Sequence, residues 1–360
     1  MLIRFSIFII LLISLSGCSR DTPELILDNY LYRLSNTLDL NQPQSYIPVT
    51  RVQFPLKRDR ILKTTEIREG LLDVLKLKRC DLLPLIAERN SSLGKVAKPS
   101  TKLQYELNFY YLLNQCRQSL GNDIAIDTEL LRRVNEIYRV KRENLPAELW
   151  NGIFTAPEVE ANFSRSQAPL PITDNSSSQQ SIEALQTLVN LTANNLDQLG
   201  TTKPNKERLN QAFKVLHSNR SGPAIISSLE ILTYHLDQAA HLLEQRNSPK
   251  NPLCRNESPN KTARILENVF YKFYIGEVLP YLAQTDRYAS QWLDLNLQLL
   301  QNHIALSVSI PQSMETYSTT ILSKTAPQSL WLNYQRARDK HTKAWQKTLK
   351  ICGMMPTQKD

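Results

Sequence analysis

The stretch YASQWLDLNLQLLQNHI, residues 288–304, decides the fold class of this 360-residue chain. Its apolar side chains recur every three or four positions, which places them on one side of an α-helix. They form two neighbouring stripes, Tyr288, Trp292, Leu295 and Leu299 in the first and Leu293, Leu297, Leu300 and Ile304 in the second. Because a helix that is apolar over so wide a face must be covered on several sides, we expect it to lie at the centre of the fold.

The same periodicity extends over most of the chain. Thr325 and Gln328 have the spacing of a capping box and predict the start of a helix that reaches Ile351. Further helices are predicted at 25–38, 65–80, 100–116, 128–142, 147–154, 182–199 and 221–243. No stretch alternates apolar and polar residues for long enough to predict a β-strand. The sequence therefore predicts an all-α fold, either an irregular multi-helix bundle or two packed helical lobes with long polar loops.

Two polar segments that contain proline interrupt the helical pattern. Residues 41–60 are expected to be extended, because each proline disfavours a helix at the residue before it. Residues 164–181 are rich in Ser, Gln and Pro and predict a linker or a long surface loop. This segment would separate an N-terminal helical lobe, 18–163, from a C-terminal helical lobe, 182–360.

The N-terminus has the features of an export signal. Arg4 precedes an eleven-residue apolar run, 5–15, which is too short to span a bilayer because a spanning helix needs about 20 residues. The run leads into Leu-Ser-Gly-Cys, which ends at Cys18 and resembles the lipobox of bacterial lipoproteins. The resemblance implies removal of residues 1–17, acylation of Cys18 (palmitate and related chains) and a membrane anchor. Ser19 implies the inner leaflet of the outer membrane, with the protein facing the periplasm.

Four cysteines remain when Cys18 is acylated: Cys80, Cys116, Cys254 and Cys352. In an oxidising compartment an even number of cysteines predicts two disulfides, for which three connectivities can be drawn. We favour Cys80–Cys116 and Cys254–Cys352, because each pair lies within one half of the chain. No cysteine belongs to a C-x-x-C pair or has a histidine at ligand spacing, so no metal site is predicted.

The charge balance limits the kinds of partner. The chain contains 43 Lys and Arg and 34 Asp and Glu, a formal net charge of +9 that falls to +8 when the signal segment with Arg4 is removed. In the envelope the expected counterparts are anionic lipids, peptidoglycan carboxylates or an acidic protein surface, and nucleic acid is not expected. Only nine glycines occur in the chain, which weighs against a β-rich fold and a phosphate-binding loop, and no pattern predicts a cofactor.

Three motifs in the N-terminal half carry a family resemblance: FPLKRDR at 54–60, EIREGLL at 66–72 and AERNSSLGK at 87–95. Together with the lipobox and the spacing of Cys80 and Cys116, they resemble an uncharacterised family of Gram-negative envelope lipoproteins that is known only as a domain of unknown function. The resemblance covers most of the mature chain. It implies a lipoprotein without an assigned activity, and it transfers no catalytic residues.

The same motifs contain the densest cluster of polar residues. Its candidate binding residues are Arg58, Asp59, Arg60, Glu66, Glu88, Arg89, Asn90 and Lys95. These charges could form an ion-pair network that holds the extended segment on the helices, or they could line a groove for an anionic ligand. Ion-pair networks are the commoner arrangement. Ser92 and Lys95 match S-x-x-K, but the partner motifs S-D-N and K-T-G are absent, so we assign no catalytic residue.

Three functions agree with these observations. The leading hypothesis is a non-enzymatic, lipid-anchored docking or scaffold protein for an envelope protein or a peptidoglycan component. The alternative is a hydrolase or transferase that acts on cell-wall material in a cleft around 51–95. The second alternative is a carrier of lipids or small molecules between helices, with an apolar cavity along 288–306.

Overall fold

The computed structural model describes residues 22–48, 52–67, 77–122, 127–163, 168–173, 176–248 and 252–355. Helices dominate these residues, and the part of the chain described contains no β-strand. The prediction of an all-α fold is confirmed. The predicted signal segment, Cys18 and Ser19 lie outside the described residues, as does most of the helix predicted at 65–80. In the described ranges no helix has the length and hydropathy needed to cross a membrane.

The first half of the chain contains two long helices, Pro99–Gly121 and Thr128–Phe154, which pack against each other in antiparallel directions, together with Pro23–Leu38 and several short helices. Their bounds are α1 Pro23–Leu38, α2 Lys57–Arg60, α3 Leu83–Asn90, α4 Ser92–Lys95, α5 Pro99–Gly121, α6 Thr128–Phe154 and α7 Pro157–Glu160, with 3₁₀ turns at Leu77–Cys80 and Ala161–Phe163. The segments predicted separately at 128–142 and 147–154 form the single helix α6, which contains Pro146. Pro146 cannot donate a helical hydrogen bond to the carbonyl of Arg142, yet the helix continues through it to Phe154.

The second half contains the central helices. Their bounds are α8 Ser176–Thr192, α9 Leu196–Thr201, α10 Lys206–Asn219, α11 Ser221–Arg246, α12 Lys261–Asn268, α13 Leu279–Ala305, α14 Gln312–Tyr317 and α15 Leu330–Ile351, with π-helical segments at Val269–Val278 and Ser318–Leu322. In α13 the first apolar stripe is buried, with Trp292 only 1% exposed. The second stripe is not buried throughout, because Ile304 lies in the last turn of the helix and is 57% exposed.

Helix α15 packs along α11, and α11 also contacts α1 and α13. Three buried side chains connect α1 to α15: the indole nitrogen of Trp345 donates to the hydroxyl of Tyr30 at 2.8 Å, and that hydroxyl lies 2.8 Å from Nε2 of His341. His341 is therefore a hydrogen-bonded core histidine. The capping box predicted at Thr325 is wrong, since α15 begins later and Oγ of Ser329 accepts from the backbone N–H of Leu332 at 3.3 Å.

Two further expectations change with the structure. The helix predicted at 182–199 divides into α8 and α9, because Asn195 and Gln198 form a capping box that starts a new helix. The predicted polar segment 164–181 is partly helical, since α8 already begins at Ser176. Ser181 is buried there, with its hydroxyl 2.9 Å from that of Ser221. The first turns of α8 make their buried contacts through serine side chains and lack apolar periodicity, and for this reason the sequence predicted a loop here.

Both favoured disulfides are present. Cys80–Cys116 joins the first 3₁₀ turn to α5, and Cys254–Cys352 joins the loop after α11 to the end of α15. The large hydrophobic core takes residues from both sides of 164–181, including Trp150, Leu185 and Trp292. A smaller core lies beside Cys80–Cys116 between α3, α5 and α6. The division into lobes 18–163 and 182–360 stays a prediction.

Candidate functional site

An extended segment crosses helix α6 next to the smaller core. Asn144 and Asn151 are two helical turns apart and so lie on the same face of α6. The side-chain amide of Asn151 accepts from the N–H of Leu62 and donates to its carbonyl, both at 2.8 Å. Asn144 makes the same pair of bonds to Thr65, at 2.9 and 2.7 Å. The two amides fix the backbone of 62–65 along the helix as a neighbouring strand would.

A cavity of about 550 Å³ lies between this segment, α3, α5 and α6. Its lining is mainly polar, although the smaller hydrophobic core adjoins it. The lining residues are Thr64, Thr65, Glu66, Ile67, Leu77, Ile86, Arg89, Asn90, Tyr105, Glu106, Phe109, Ile137, Lys141, Asn144 and Glu148. We call it the polar cavity. Its volume falls within the range of about 300–1,000 Å³ that is typical of small-molecule sites.

A buried ion pair forms one wall of the polar cavity. Nζ of Lys141 lies 2.6 Å from Oε2 of Glu106, and the two side chains are only 15% and 10% exposed. The same ammonium lies 5.0 Å from the ring centroid of Phe109 and 5.7 Å from that of Tyr105. The charge of Lys141 is thereby held by one carboxylate and two aromatic rings.

Glu148 adds a second carboxyl group with a different environment. Burial raises its pKa above the ordinary value, and the negative charge of Glu106 raises it further. Lys141 and a hydrogen bond with Thr64 oppose these effects more weakly. The polar cavity therefore combines a carboxylate that is paired with a cation and a carboxyl group whose pKa is raised by burial.

A smaller cavity of about 70 Å³ lies next to the polar cavity and shares Arg89 and Tyr105 with it. We call it the basic cavity, because Arg89, Lys102 and Lys206 line it together with a single acidic residue, Glu88. Burial lowers the pKa of Lys102, and the positive charges of Arg89 and Lys57 lower it further. Several cations thus lie close enough together to repel one another.

The structure distributes the eight candidate residues over three environments. Glu66, Arg89 and Asn90 line the polar cavity, and Glu88 lines the basic cavity together with Arg89. Nη1 of Arg89 donates to the carbonyl of Gly94 at 3.1 Å, which holds the guanidinium at the border of the two cavities. Outside both linings are the exposed residues Arg58, Asp59 and Lys95. Ser92 of the S-x-x-K match is likewise exposed, on the short helix α4.

Arg60, the remaining candidate, is fully buried away from the cavities. Its guanidinium donates to the carbonyl of Phe154 and, at 2.5 Å, to Oε2 of Glu160. Its own carbonyl accepts from the indole nitrogen of Trp150 at 2.7 Å, and its Cζ lies 4.3 Å from the ring centroid of Phe54. Arg60 therefore attaches the end of α2, and with it the extended segment 62–65 that follows, to the large core.

Sequence reasoning missed the residues that give the cavities their charge: Glu106, Lys141, Glu148, Lys102 and Lys206. One signal was available, because Glu106 interrupts the apolar stripe of α5 between Leu103 and Leu107 and is itself buried. A charged residue at a core position needs a partner. The partner, 35 residues further along the chain, could not be identified from spacing.

A third cavity, of about 280 Å³ and mainly apolar, lies between α5, α8, α9 and α10, with Leu107, Leu191 and Leu209 in its lining. The carrier hypothesis predicted an apolar cavity along 288–306, and no residue of that range lines this cavity. In the described residues no group of three His, Cys, Asp or Glu side chains is placed to hold a metal ion.

The chain matches, over residues 27–356, the sequence profile of a family described as "Protein of unknown function (DUF3080)". It belongs to the DUF3080 family. Its membership confirms the expectation of an uncharacterised domain family, and the DUF3080 region contains the three cavities described above and both disulfides. Cys18 precedes the DUF3080 match, so the match does not bear on the anchor. No curated protein and no solved structure is detectably similar to the chain.

Proposed function

We propose that this DUF3080 protein is a lipid-anchored envelope protein that binds a small, charged cell-wall component in the polar cavity. Acylated Cys18 would hold it on the inner leaflet of the outer membrane, facing the periplasm. The sequence suggested docking of either a protein or a cell-wall component, and the polar cavity favours the second. A site of this size can enclose a sugar or a short peptide but not a protein surface.

The observation that carries the proposal is the pair Lys141–Glu106 in the wall of a cavity. A buried ion pair contributes little to stability, because the cost of removing both charges from water offsets their attraction. Apolar side chains would fill the space between α5 and α6 more favourably. The retained charges are therefore better explained by a ligand than by packing.

The chemistry of the lining indicates the class of ligand. The guanidinium of Arg89 donates to the carbonyl of Gly94 and forms no ion pair among the described residues, so its remaining donors are available to an acidic group of the ligand. Glu106 and Glu148 can accept hydrogen bonds from amino or hydroxyl groups. Peptidoglycan fragments carry acidic, amino and hydroxyl groups on one small molecule, and we therefore propose them as the ligand.

Titration calorimetry tests the proposal with the purified lipidated protein in detergent and soluble muropeptides as the ligand. Arg89→Ala is the informative variant, and Arg139→Ala is its matched control, since Arg139 is exposed and pairs only with Glu143 in the described structure. We expect at least tenfold weaker binding for Arg89→Ala and unchanged binding for Arg139→Ala. Failure of the wild-type protein to bind any muropeptide would contradict the proposal.

A hydrolase is the second candidate function, because the two carboxyl groups of the polar cavity differ in environment. A carboxyl group with a raised pKa can act as a general acid while an ionised neighbour acts as a base or nucleophile. Glu148 and Glu106 fit these two roles. Incubation of muropeptides with the protein and separation of the products tests this: turnover that Glu148→Gln abolishes while binding persists would support it, and unchanged substrate would exclude it.

A further inference from the structure

Three cationic side chains, Arg89, Lys102 and Lys206, line the basic cavity, and none of them forms an ion pair within the described residues. Elsewhere, for example on the exposed face of α6, Arg132 pairs with Glu129 at 2.8 Å and with Glu136 at 2.5 Å. Among the described residues no carboxylate lies within 4.0 Å of the charged groups of Lys57, Arg89, Lys102 or Lys206. Although Glu88 also lines the basic cavity, it forms no ion pair there within the described chain.

Clustered like charges repel one another, and a bound anion lowers that cost. The carboxyl group of Glu148 offsets only part of the repulsion at Lys102, since burial and the charges of Arg89 and Lys57 act more strongly on the pKa of this lysine. Three cationic side chains line the basic cavity and a fourth, Lys57, lies close enough to Lys102 to act on it. Lys102 is half-buried, so its ammonium is less well hydrated than that of an exposed lysine. These features together favour an anion with more than one negative charge.

We propose that Arg89, Lys102 and Lys206 form a subsite for a phosphoryl group of the ligand that occupies the polar cavity. This inference rests on the proposed function, since it assigns a phosphorylated cell-wall glycan or precursor as the ligand class. A phosphoryl group has a charge near −2 and three acceptor oxygens, which match three cationic donors better than the single charge of a carboxylate. Arg89 borders both cavities and so connects the phosphoryl subsite to the rest of the ligand.

Ligand-observed NMR tests the subsite with inorganic phosphate as the probe and acetate as the carboxylate comparison. The variants are Lys102→Ala and, as the matched control, Lys347→Ala, because Lys347 is an exposed lysine of α15. Circular dichroism must show equal helix content for all proteins. We expect phosphate to bind the wild-type protein and the Lys347→Ala variant equally and to bind Lys102→Ala at least fivefold more weakly. Added salt should weaken binding.

Three outcomes would overturn the inference. One is the absence of phosphate binding, and another is an equal affinity of Lys102→Ala, which would mean an adventitious surface interaction. The third is acetate binding as tight as that of phosphate, which would assign the subsite to a carboxylate instead. Muropeptide binding measured on the same samples separates the two proposals. If muropeptides bind but phosphate does not, the polar cavity keeps its proposed function and only the phosphoryl subsite fails.

Discussion

Nζ of Lys141 lies 2.6 Å from Oε2 of Glu106, and this ion pair joins helices α5 and α6 at the wall of the polar cavity. Both side chains are largely buried, and the aromatic rings of Tyr105 and Phe109 flank the ammonium. The pair places a positive and a negative charge in the wall of the polar cavity, at hydrogen-bonding distance from each other. The proposed function depends on this arrangement, and it leads to the first prediction.

Lys141→Met should destabilise the protein by about 3 kcal/mol, because it leaves Glu106 buried without its cation. Replacement of both residues, Lys141→Met with Glu106→Leu, should restore most of that loss, since no charge is then left unpaired. Urea unfolding followed by circular dichroism measures both changes. If the double variant is as unstable as the single variant, the pair is not the source of the effect.

Glu148 should make stability depend on pH. Its pKa is raised in the folded state, so the protonated form is favoured there, and this contribution is present below the ordinary carboxyl pKa and lost as pH rises through the raised pKa. Glu148→Gln removes the dependence, so the variant should gain stability relative to the wild type as pH rises. Urea unfolding near the ordinary carboxyl pKa and again at neutral pH measures the difference. A difference that does not change between the two conditions would contradict the assignment.

Two neighbouring arginines should differ strongly in their effect on stability. Arg60→Ala leaves the buried carbonyl of Phe154 and the carboxylate of Glu160 without their donor and should cost about 3 kcal/mol. Arg58→Ala should cost less than about 0.5 kcal/mol, because that side chain is 81% exposed. Thermal unfolding of the two variants compares them directly. Equal losses would mean that Arg60 does not attach the extended segment to the core.

Removal of the second disulfide with Cys254→Ser and Cys352→Ser should destabilise the chain by about 4 kcal/mol. The disulfide closes a loop with a sequence separation of 98 and so restricts the unfolded chain. Protein isolated from the cell envelope should also contain no free thiol at these two positions. Alkylation under non-reducing conditions followed by mass spectrometry measures the thiols. Alkylated Cys254 in the wild-type protein would contradict export to an oxidising compartment.

Cys18→Ser should leave the protein without acyl chains and with residues 1–17 still attached, because the proposed acyl chains cannot attach to serine. Fractionation of cells that produce the wild-type or the variant protein, with comparison of the two masses, checks this, with Ser19→Ala as a control that keeps the cysteine. The variant should remain an unprocessed, unacylated precursor. Recovery of the variant and the wild type in the same membrane fraction, with the same mass, would contradict the anchor.

Apolar periodicity predicted many of the long helices, but it was not recognised at α10, where Leu209, Phe213 and Leu216 are buried at helical spacing. Leu27, Leu31 and Leu34 are buried along α1 at the expected spacing, and the first stripe of α13 lies in the large core. The disulfide pairing favoured among the three possible connectivities is the one observed. Helix starts were less predictable, as at Ser329, because several polar residues near a helix end can each accept the first backbone N–H groups.

The sequence predicted a cleft around 51–95 as an alternative, but the charged residues that α5 and α6 contribute to the polar cavity could not be predicted, because their positions depend on the register between helices. Glu106 meets Lys141 only when α5 packs beside α6 at one particular offset, and no local pattern specifies it. Asn144 and Asn151 likewise acquire their role only when the extended segment lies on their face of α6. The motif at 87–95 did include Arg89 among the candidate binding residues, but the sequence did not show which of these charged residues are buried.

The most direct test of the central claim is muropeptide binding by the Lys141→Met, Glu106→Leu double variant, compared with the wild type by titration calorimetry. This variant is expected to fold, yet it lacks both charges of the buried Lys141–Glu106 pair. We predict that the wild-type protein binds soluble muropeptides and that the double variant binds them at least tenfold more weakly. Equal affinity in the two proteins would contradict the assignment of the polar cavity as the ligand site.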